Sequence, residues 1–128
     1  MSMSNYLENK VLNHICGKSN YTAPPVLYAG LLTELIDGEE GQATEITEAS
    51  YERADISFGV AVNGVIENDT DVNFPVAEEV WGVVKAVAIY DAKTNGNMLF
   101  YTNLETEQNI IVDNQLIFKT GKLTISLD

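Results

Sequence analysis

The sequence is short of several residue types, and each shortage excludes a class of protein. Cysteine occurs only at Cys16, so the chain cannot form an internal disulfide. Histidine occurs only at His14, and one histidine with one cysteine gives too few ligands for a zinc site. No apolar run approaches the roughly 18 residues of a membrane-spanning helix, and the N-terminus carries no apolar signal segment. These absences predict a soluble protein that is made in a cytoplasm.

Basic residues are also scarce: 7 Lys and Arg stand against 19 Asp and Glu, for a net charge of −12. The imbalance lies in residues 34–79, where Arg53 is the single basic residue among thirteen acidic ones. A surface of this kind repels nucleic-acid phosphate and anionic lipid. We therefore expect neither nucleic acid nor a membrane as a partner. The acidic segment serves solubility alone or steers a basic partner, and the sequence leaves both alternatives open.

What the sequence does contain is a long β-hairpin around which the chain is organised. Residues 79–104 predict two strands joined by a polar turn at 91–97. The alternation from 80 to 90 is apolar on both faces, which is typical of a central strand covered on both sides. One predicted face carries Trp81, Val83, Val87 and Ile89. Because a hairpin alone is unstable in water, a second sheet must cover it.

The remaining predicted strands are short and evenly spaced, as in an antiparallel sandwich or jelly roll. Asn63-Gly64 predicts a type I′ hairpin turn, and residues 26–32 and 71–74 predict further strands. The stretch 33–50 is expected to be an acidic loop. A chain of 128 residues is long enough to close one core. The predicted fold is therefore all-β: a single antiparallel, jelly-roll-like β-sandwich domain over residues 1–128, with one short N-terminal helix.

That N-terminal helix is predicted over residues 4–17. Asn5 and Glu8 are spaced as a capping box, and Gly17 is placed to end the helix in a left-handed conformation. An apolar stripe at helical spacing is formed by Leu7, Val11, Leu12 and Ile15. The stripe closes one end of the chain's own sandwich or packs on a neighbouring subunit.

Candidate catalytic and metal-binding residues are few. His14 and Cys16 lie about 200° apart on a helix, so they form no nucleophile–base pair, and a buried or partly buried Cys16 is expected. Oxygen-bearing side chains alternate along residues 67–73 as in calcium loops, but the glycine and the closing glutamate of such a loop are missing. Paired carboxylates such as Glu78-Glu79 lie in hydrophilic stretches, where solvation is expected rather than acid–base catalysis. We expect no enzymatic activity, no metal and no cofactor.

Four stretches of the sequence carry a resemblance to a known family. They are SNYLENKVLNHICG (4–17), YTAPPVLYAGLLT (21–33), VWGVVKAVAIYDAKTNGNMLFYTNL (80–104) and DNQLIFKTGKLTISLD (113–128). In order and spacing they resemble small virion proteins of tailed bacteriophages, which are usually called phage tail fibre proteins. The resemblance spans nearly the whole chain and leaves the acidic loop 34–50 as the variable part.

The resemblance implies a non-enzymatic virion protein, made in the host cytoplasm, that docks in many copies on other capsid or tail proteins as a homo-oligomer or on a lattice. Because a fibre shaft needs a long repetitive sequence and this chain has no repeat, we expect a capsid decoration or auxiliary head protein. The alternative is a tail-fibre or head-fibre component that binds a host receptor or glycan, for example through exposed tyrosines. The residues expected to dock on a neighbouring virion protein are Leu7, Val11, Leu12, Ile15, Tyr21, Pro24 and Pro25.

Overall fold

The computed structural model describes residues 1–127, which form ten β-strands and one α-helix. In chain order the elements are β1 (Ser2–Met3), α1 (Asn5–Ile15), β2 (Leu27–Asp37), β3 (Gln42–Glu45), β4 (Ala54–Ile56), β5 (Val65–Glu67), β6 (Val72–Asn73), β7 (Gly82–Tyr90), β8 (Met98–Ile110), β9 (Ile117–Phe118) and β10 (Thr124–Ser126). The prediction of an all-β chain with one short N-terminal helix is confirmed. No helix in this described part is long and apolar enough to cross a membrane.

The strands form one large antiparallel sheet and two small ones. The large sheet has six strands in the order β1-β8-β7-β2-β3, and β4 also pairs with β2. The small sheets pair β10 with β5 and β6 with β9. Strand β7 has neighbours on both sides, β8 and β2, so the predicted hairpin lies inside the large sheet.

The two small sheets cover one face of the large sheet, and the main core lies between these layers. Leu31, Val87 and Ile89 of the large sheet are fully buried, and they share one apolar cluster with Phe74 and Leu123 from the covering layer. The opposite face carries a smaller apolar cluster: Leu32, Ala86, Ala88, Tyr90 and Met98. Both faces of β7 are therefore covered, and the predicted antiparallel sandwich is confirmed.

The predicted faces of β7 need one correction. Three of the four residues assigned to one face are buried, but Val83 is exposed and Val84 lies in the core instead. The cause is a bulge in the hairpin, because the β8 partner jumps from Asn103 to Gln108 across Lys85. Extra residues on one strand bend the pair and change the phase of the alternation, so a strict period of two fails at this point.

The helix begins through a different cap from the predicted one. Ser4 is the N-cap: its Oγ accepts a hydrogen bond from the Leu7 amide at 3.4 Å and donates one to the Met98 carbonyl at 2.6 Å. The predicted capping box of Asn5 and Glu8 is therefore wrong, because Asn5 is already the first helical residue. Since Met98 begins β8, the true cap also fastens the helix to the large sheet.

The predicted helix end at Gly17 and the predicted hairpin turn at Asn63-Gly64 are both confirmed by the backbone conformation. Gly17, just after helix α1, has φ +74°, the left-handed conformation that ends a helix. Asn63 and Gly64 have φ +53° and +77°, as a type I′ turn requires at both positions.

The prediction of a loop over residues 33–50 is wrong for much of the segment. Strand β2 continues to Asp37, and β3 begins at Gln42, so the acidic residues lie on a β-hairpin. The turn is tight because Gly38 lies against the ring of Tyr101, where any side chain would collide with the aromatic carbons. The glycines that suggest an open loop in the sequence instead permit this close approach.

Candidate docking surface

The two ends of helix α1 have different surroundings. Leu7 is buried in the chain's own fold, and the first turn is fixed to β8 through Ser4. Towards the C-terminus, Val11 is half-buried, Leu12 is 60% exposed and Ile15 is 76% exposed. The predicted apolar stripe is thus covered at its start and uncovered at its end, and Leu7 serves as an internal anchor rather than as a contact for a partner.

The segment after the helix folds back along it. The Tyr21 amide donates a hydrogen bond to His14 Nδ1 at 3.1 Å. Pro24 and Pro25 then line an open groove of about 560 Å³ whose far wall includes Phe58. The accessible members of the predicted set form what we call the docking surface: Val11, Leu12, Ile15, Tyr21, Pro24 and Pro25. The sequence gives no sign that this segment lies beside residue 58.

Neither His14 nor Cys16 has the surroundings of a catalytic group. The His14 Nδ1 atom is occupied by a backbone amide, and Cys16 is exposed. The expected burial of Cys16 is wrong, because this residue caps a helix end that no described part of the chain covers. The two side chains therefore form no nucleophile–base pair.

Two of the acidic residues, Glu79 and Asp71, accept hydrogen bonds that favour their charged forms. Bonds from the hydroxyl and amide of Ser50, at 2.6 and 2.9 Å, lower the pKa of Glu79. Bonds from the amide and hydroxyl of Thr120 likewise lower the pKa of Asp71. A general acid needs the opposite shift. Within residues 1–127, no three His, Cys, Asp or Glu side chains come together as a metal site.

Aromatic side chains are equally absent from the open surface. The chain has four Phe, six Tyr and one Trp, and each of them is buried or half-buried within residues 1–127. Trp81 packs edge-on against Tyr51, which in turn stacks on Phe74. The prediction that Trp81 belongs to the core is confirmed. Sugar binding by stacking requires an exposed aromatic ring, and no aromatic residue of the described chain is more than partly exposed.

The family model described as podophage GP4 fiber I protein gp80 matches residues 2–126. The chain belongs to this family. The match extends from β1 to β10 and confirms the resemblance to phage tail fibre proteins. The chain is accordingly a structural component of a phage virion, made in the host cell and associated with other virion proteins. No curated protein matches the chain.

The fold of the chain contains a buried polar cluster that the sequence did not predict. The Arg53 guanidinium binds both oxygens of Glu45, at 2.9 and 3.0 Å, and donates to the carbonyls of Ala92 and Asn95 at 2.7 and 2.8 Å. It also lies 3.5 Å from the centroid of the Tyr90 ring. The cluster therefore joins β3 to the β7–β8 turn. The sequence offered one signal for this cluster: Arg53 is the single basic residue of the acidic segment. A basic residue in such surroundings is a candidate for a buried ion pair.

Two tyrosines of the core border this cluster. The Tyr51 hydroxyl donates to Glu45 at 2.5 Å and accepts from the Leu31 amide at 2.9 Å. Burial, followed by the bond to Glu45, raises the pKa of Tyr51 above its ordinary value of 10.0. Burial also raises the pKa of Tyr90 to about 12. Both hydroxyls therefore hold their protons more tightly in the folded chain than in the unfolded one.

This difference predicts a loss of stability in alkali. Below pH 10, where unfolded tyrosine is also protonated, the contribution is fully present; it falls as the pH rises through the folded values. We expect the free energy of unfolding to decrease steadily above about pH 10 by up to about 1.4 kcal/mol per pH unit for each group. Urea denaturation between about pH 8 and pH 12 measures the decrease. Tyr51→Phe should show a shallower slope, and a flat profile would contradict the prediction.

Proposed function

We propose that the chain is a non-enzymatic fibre subunit that attaches to other virion proteins through the docking surface. One observation carries the proposal: Leu12 and Ile15 are 60% and 76% exposed on a helix whose first turn is fixed to its own sheet. The chain gains no stability from large apolar side chains at this uncovered end. Contiguous exposed apolar groups typically mark an interaction site.

The energy of such a contact suits a protein that acts in many copies. Covering one leucine or isoleucine completely contributes about 1.5–3 kcal/mol, which is too little to hold a single subunit against the entropy of association. Repeated contacts on one particle raise the effective concentration of each subunit and add to one another. The proposal therefore includes several copies per virion, as a homo-oligomer or on a lattice of partner subunits.

The family description names a fibre, and this supports a fibre position on the particle. A compact fold without sequence repeats also suits a capsid decoration protein, the position predicted from the sequence. Both positions would use the same docking surface and differ in the protein that covers it. Host glycan recognition is the alternative role, and for it the described chain offers only partly exposed aromatic residues.

Replacing Ile15 by lysine is expected to reduce the number of copies per virion by about tenfold, which corresponds to about 1.4 kcal/mol. The substitution places a charge in the apolar contact, while a cation in the last turn of a helix is compatible with folding. A phage lacking the gene is complemented with the variant, and copies per purified particle are counted by quantitative mass spectrometry.

Asn13→Lys provides the matched control, because it adds the same charge to an exposed position of the same helix. It should load normally, and both variants should show the thermal transition of the wild type. Normal loading of Ile15→Lys would contradict the proposal. Antibody labelling of separated heads and tails then determines the position: label on tails supports the fibre, and label on shells supports decoration.

A further inference from the structure

A second unusual surface lies at the hairpin arm, which we define as residues 58–66. Its sequence, FGVAVNGVI, has no charged residue, although it lies inside the most acidic segment of the chain. Val60 is 90% exposed and Val62 is 65% exposed. Side chains this apolar and this open are unusual on a soluble surface and are not needed by the arm's own fold.

The first half of the hairpin arm has a free backbone edge. Val62 and Val65 exchange two backbone hydrogen bonds, at 2.9 and 3.0 Å, which pair this half with β5. Strand β5 is already paired with β10 on its other side. The N–H and C=O groups of Val60 and Ala61 bond to no other group among residues 1–127. Because Val62 points its own N–H and C=O groups at β5, those of its neighbour Ala61 point to the outer edge, where a further strand can pair with them.

Folded proteins normally protect such edges with charged residues, proline or a covering segment. This edge has none of the three between Phe58 and Val62. An open valine-rich edge is a template for strand pairing, and it would promote aggregation if nothing covered it. A covering strand in the assembled particle resolves this difficulty.

The charges around the hairpin arm indicate the chemistry of that strand. Glu67 and Asp69 border an open groove of about 450 Å³ together with Val60, Val62 and Val65. Neither acid belongs to an ion pair with any residue of the described chain. A partner segment that is apolar in the middle and basic at its ends would complement both features. A second copy would instead bring the same two acids and an excess of negative charge.

We propose that the outer edge of the hairpin arm binds, by strand addition, an extended apolar segment flanked by lysine or arginine from another virion protein. The backbone of the segment bonds to Ala61, its apolar side chains contact the exposed valines, and its cations face Glu67 and Asp69. The inference rests on the proposed role as a virion subunit. It gives that subunit a second contact, separate from the docking surface, so that it connects two neighbours.

The test uses the purified full chain and two synthetic peptides with the core Val-Thr-Val-Thr-Val, one flanked by lysine pairs and one by glutamate pairs. We expect the lysine peptide to bind and to slow hydrogen exchange at the amide of Ala61. The glutamate peptide should bind at least about tenfold more weakly, and the difference should shrink as salt screens the charges. Fluorescence anisotropy gives both affinities.

Val60→Lys is expected to weaken binding of the lysine peptide by at least about tenfold, since it adds a like charge to the edge. Val112→Lys is the control, because Val112 is also an exposed valine, 48% open, but lies in the turn after β8. Unchanged binding by Val60→Lys, equal binding of the two peptides, or no protection at Ala61 would overturn the proposal. So would a wild-type dimer that Val60→Lys abolishes, because the occupant would then be a second copy. Ile15→Lys should bind the peptide normally, so the two proposals can fail independently.

Discussion

Replacing Arg53 with alanine should lower the free energy of unfolding by about 3–5 kcal/mol, as expected when one member of a buried ion pair is removed. Glu45 would keep a largely buried carboxylate without its cation. The carbonyls of Ala92 and Asn95 would lose their donors, and the Tyr90 ring would lose the group stacked on it. A domain is typically stable by about 5–15 kcal/mol, so the loss would remove a large share of the total.

Urea denaturation of three variants separates the contributions. Arg53→Lys keeps the charge but cannot bind both carboxylate oxygens in a planar fork, so an intermediate loss is expected. Lys93→Ala removes a surface pair with Glu52, 3.6 Å apart, and should change stability by about 0–1 kcal/mol. If Arg53→Ala were no worse than Lys93→Ala, the buried cluster would not contribute to the fold as described.

Replacing Asn68 with alanine is expected to lower the free energy of unfolding by about 3 kcal/mol. Asn68 is fully buried, and its amide group donates to the carbonyls of Thr70 and Lys119 at 2.8 and 3.1 Å. Its Oδ1 atom accepts from the buried Leu123 amide at 2.9 Å. Alanine would leave the buried Leu123 amide without its acceptor, and an unpaired buried group costs about 1–3 kcal/mol. The Thr70 carbonyl would also lose its donor, whereas the Lys119 carbonyl would keep a bond from the Lys122 amide at 3.0 Å.

Denaturation and hydrogen exchange check this prediction together. The Leu123 amide should exchange faster in Asn68→Ala even under conditions where the chain stays folded. Asn73→Ala is the control, because Asn73 is exposed and makes no side-chain hydrogen bond within residues 1–127; a change within about 0.5 kcal/mol is expected. Equal stability of the two variants would show that Asn68 does not hold the β5–β6 connection to β9 and β10.

The features predictable from the sequence are those fixed by neighbouring residues. The Asn63-Gly64 turn requires positive φ at two consecutive positions, and few residue pairs satisfy that requirement. The central hairpin is predicted because both faces of residues 80–90 are apolar, which indicates a strand buried on both sides. Gly17 marks the helix end because a left-handed residue there needs no side chain.

The features that escaped prediction depend on residues far apart in the chain. The phase change at Val84 comes from extra residues in β8, about twenty positions later, and nothing near Val84 reports their number. Arg53 is buried because carbonyls about forty positions away point at it. Likewise, the stripe of helix α1 reports an apolar face, but only the fold reveals that its second half stays open.

The position of β1 in the sheet has a consequence for the order of events in the infected cell. Ser2 pairs with Tyr101 and Met3 with Phe100, so β1 finds its partners only after the ribosome has added about a hundred further residues. Helix α1 cannot seat itself until Met98 has emerged to accept the Ser4 hydroxyl. A nascent chain that stops short of β8 therefore cannot present helix α1 in its seated position to other virion proteins.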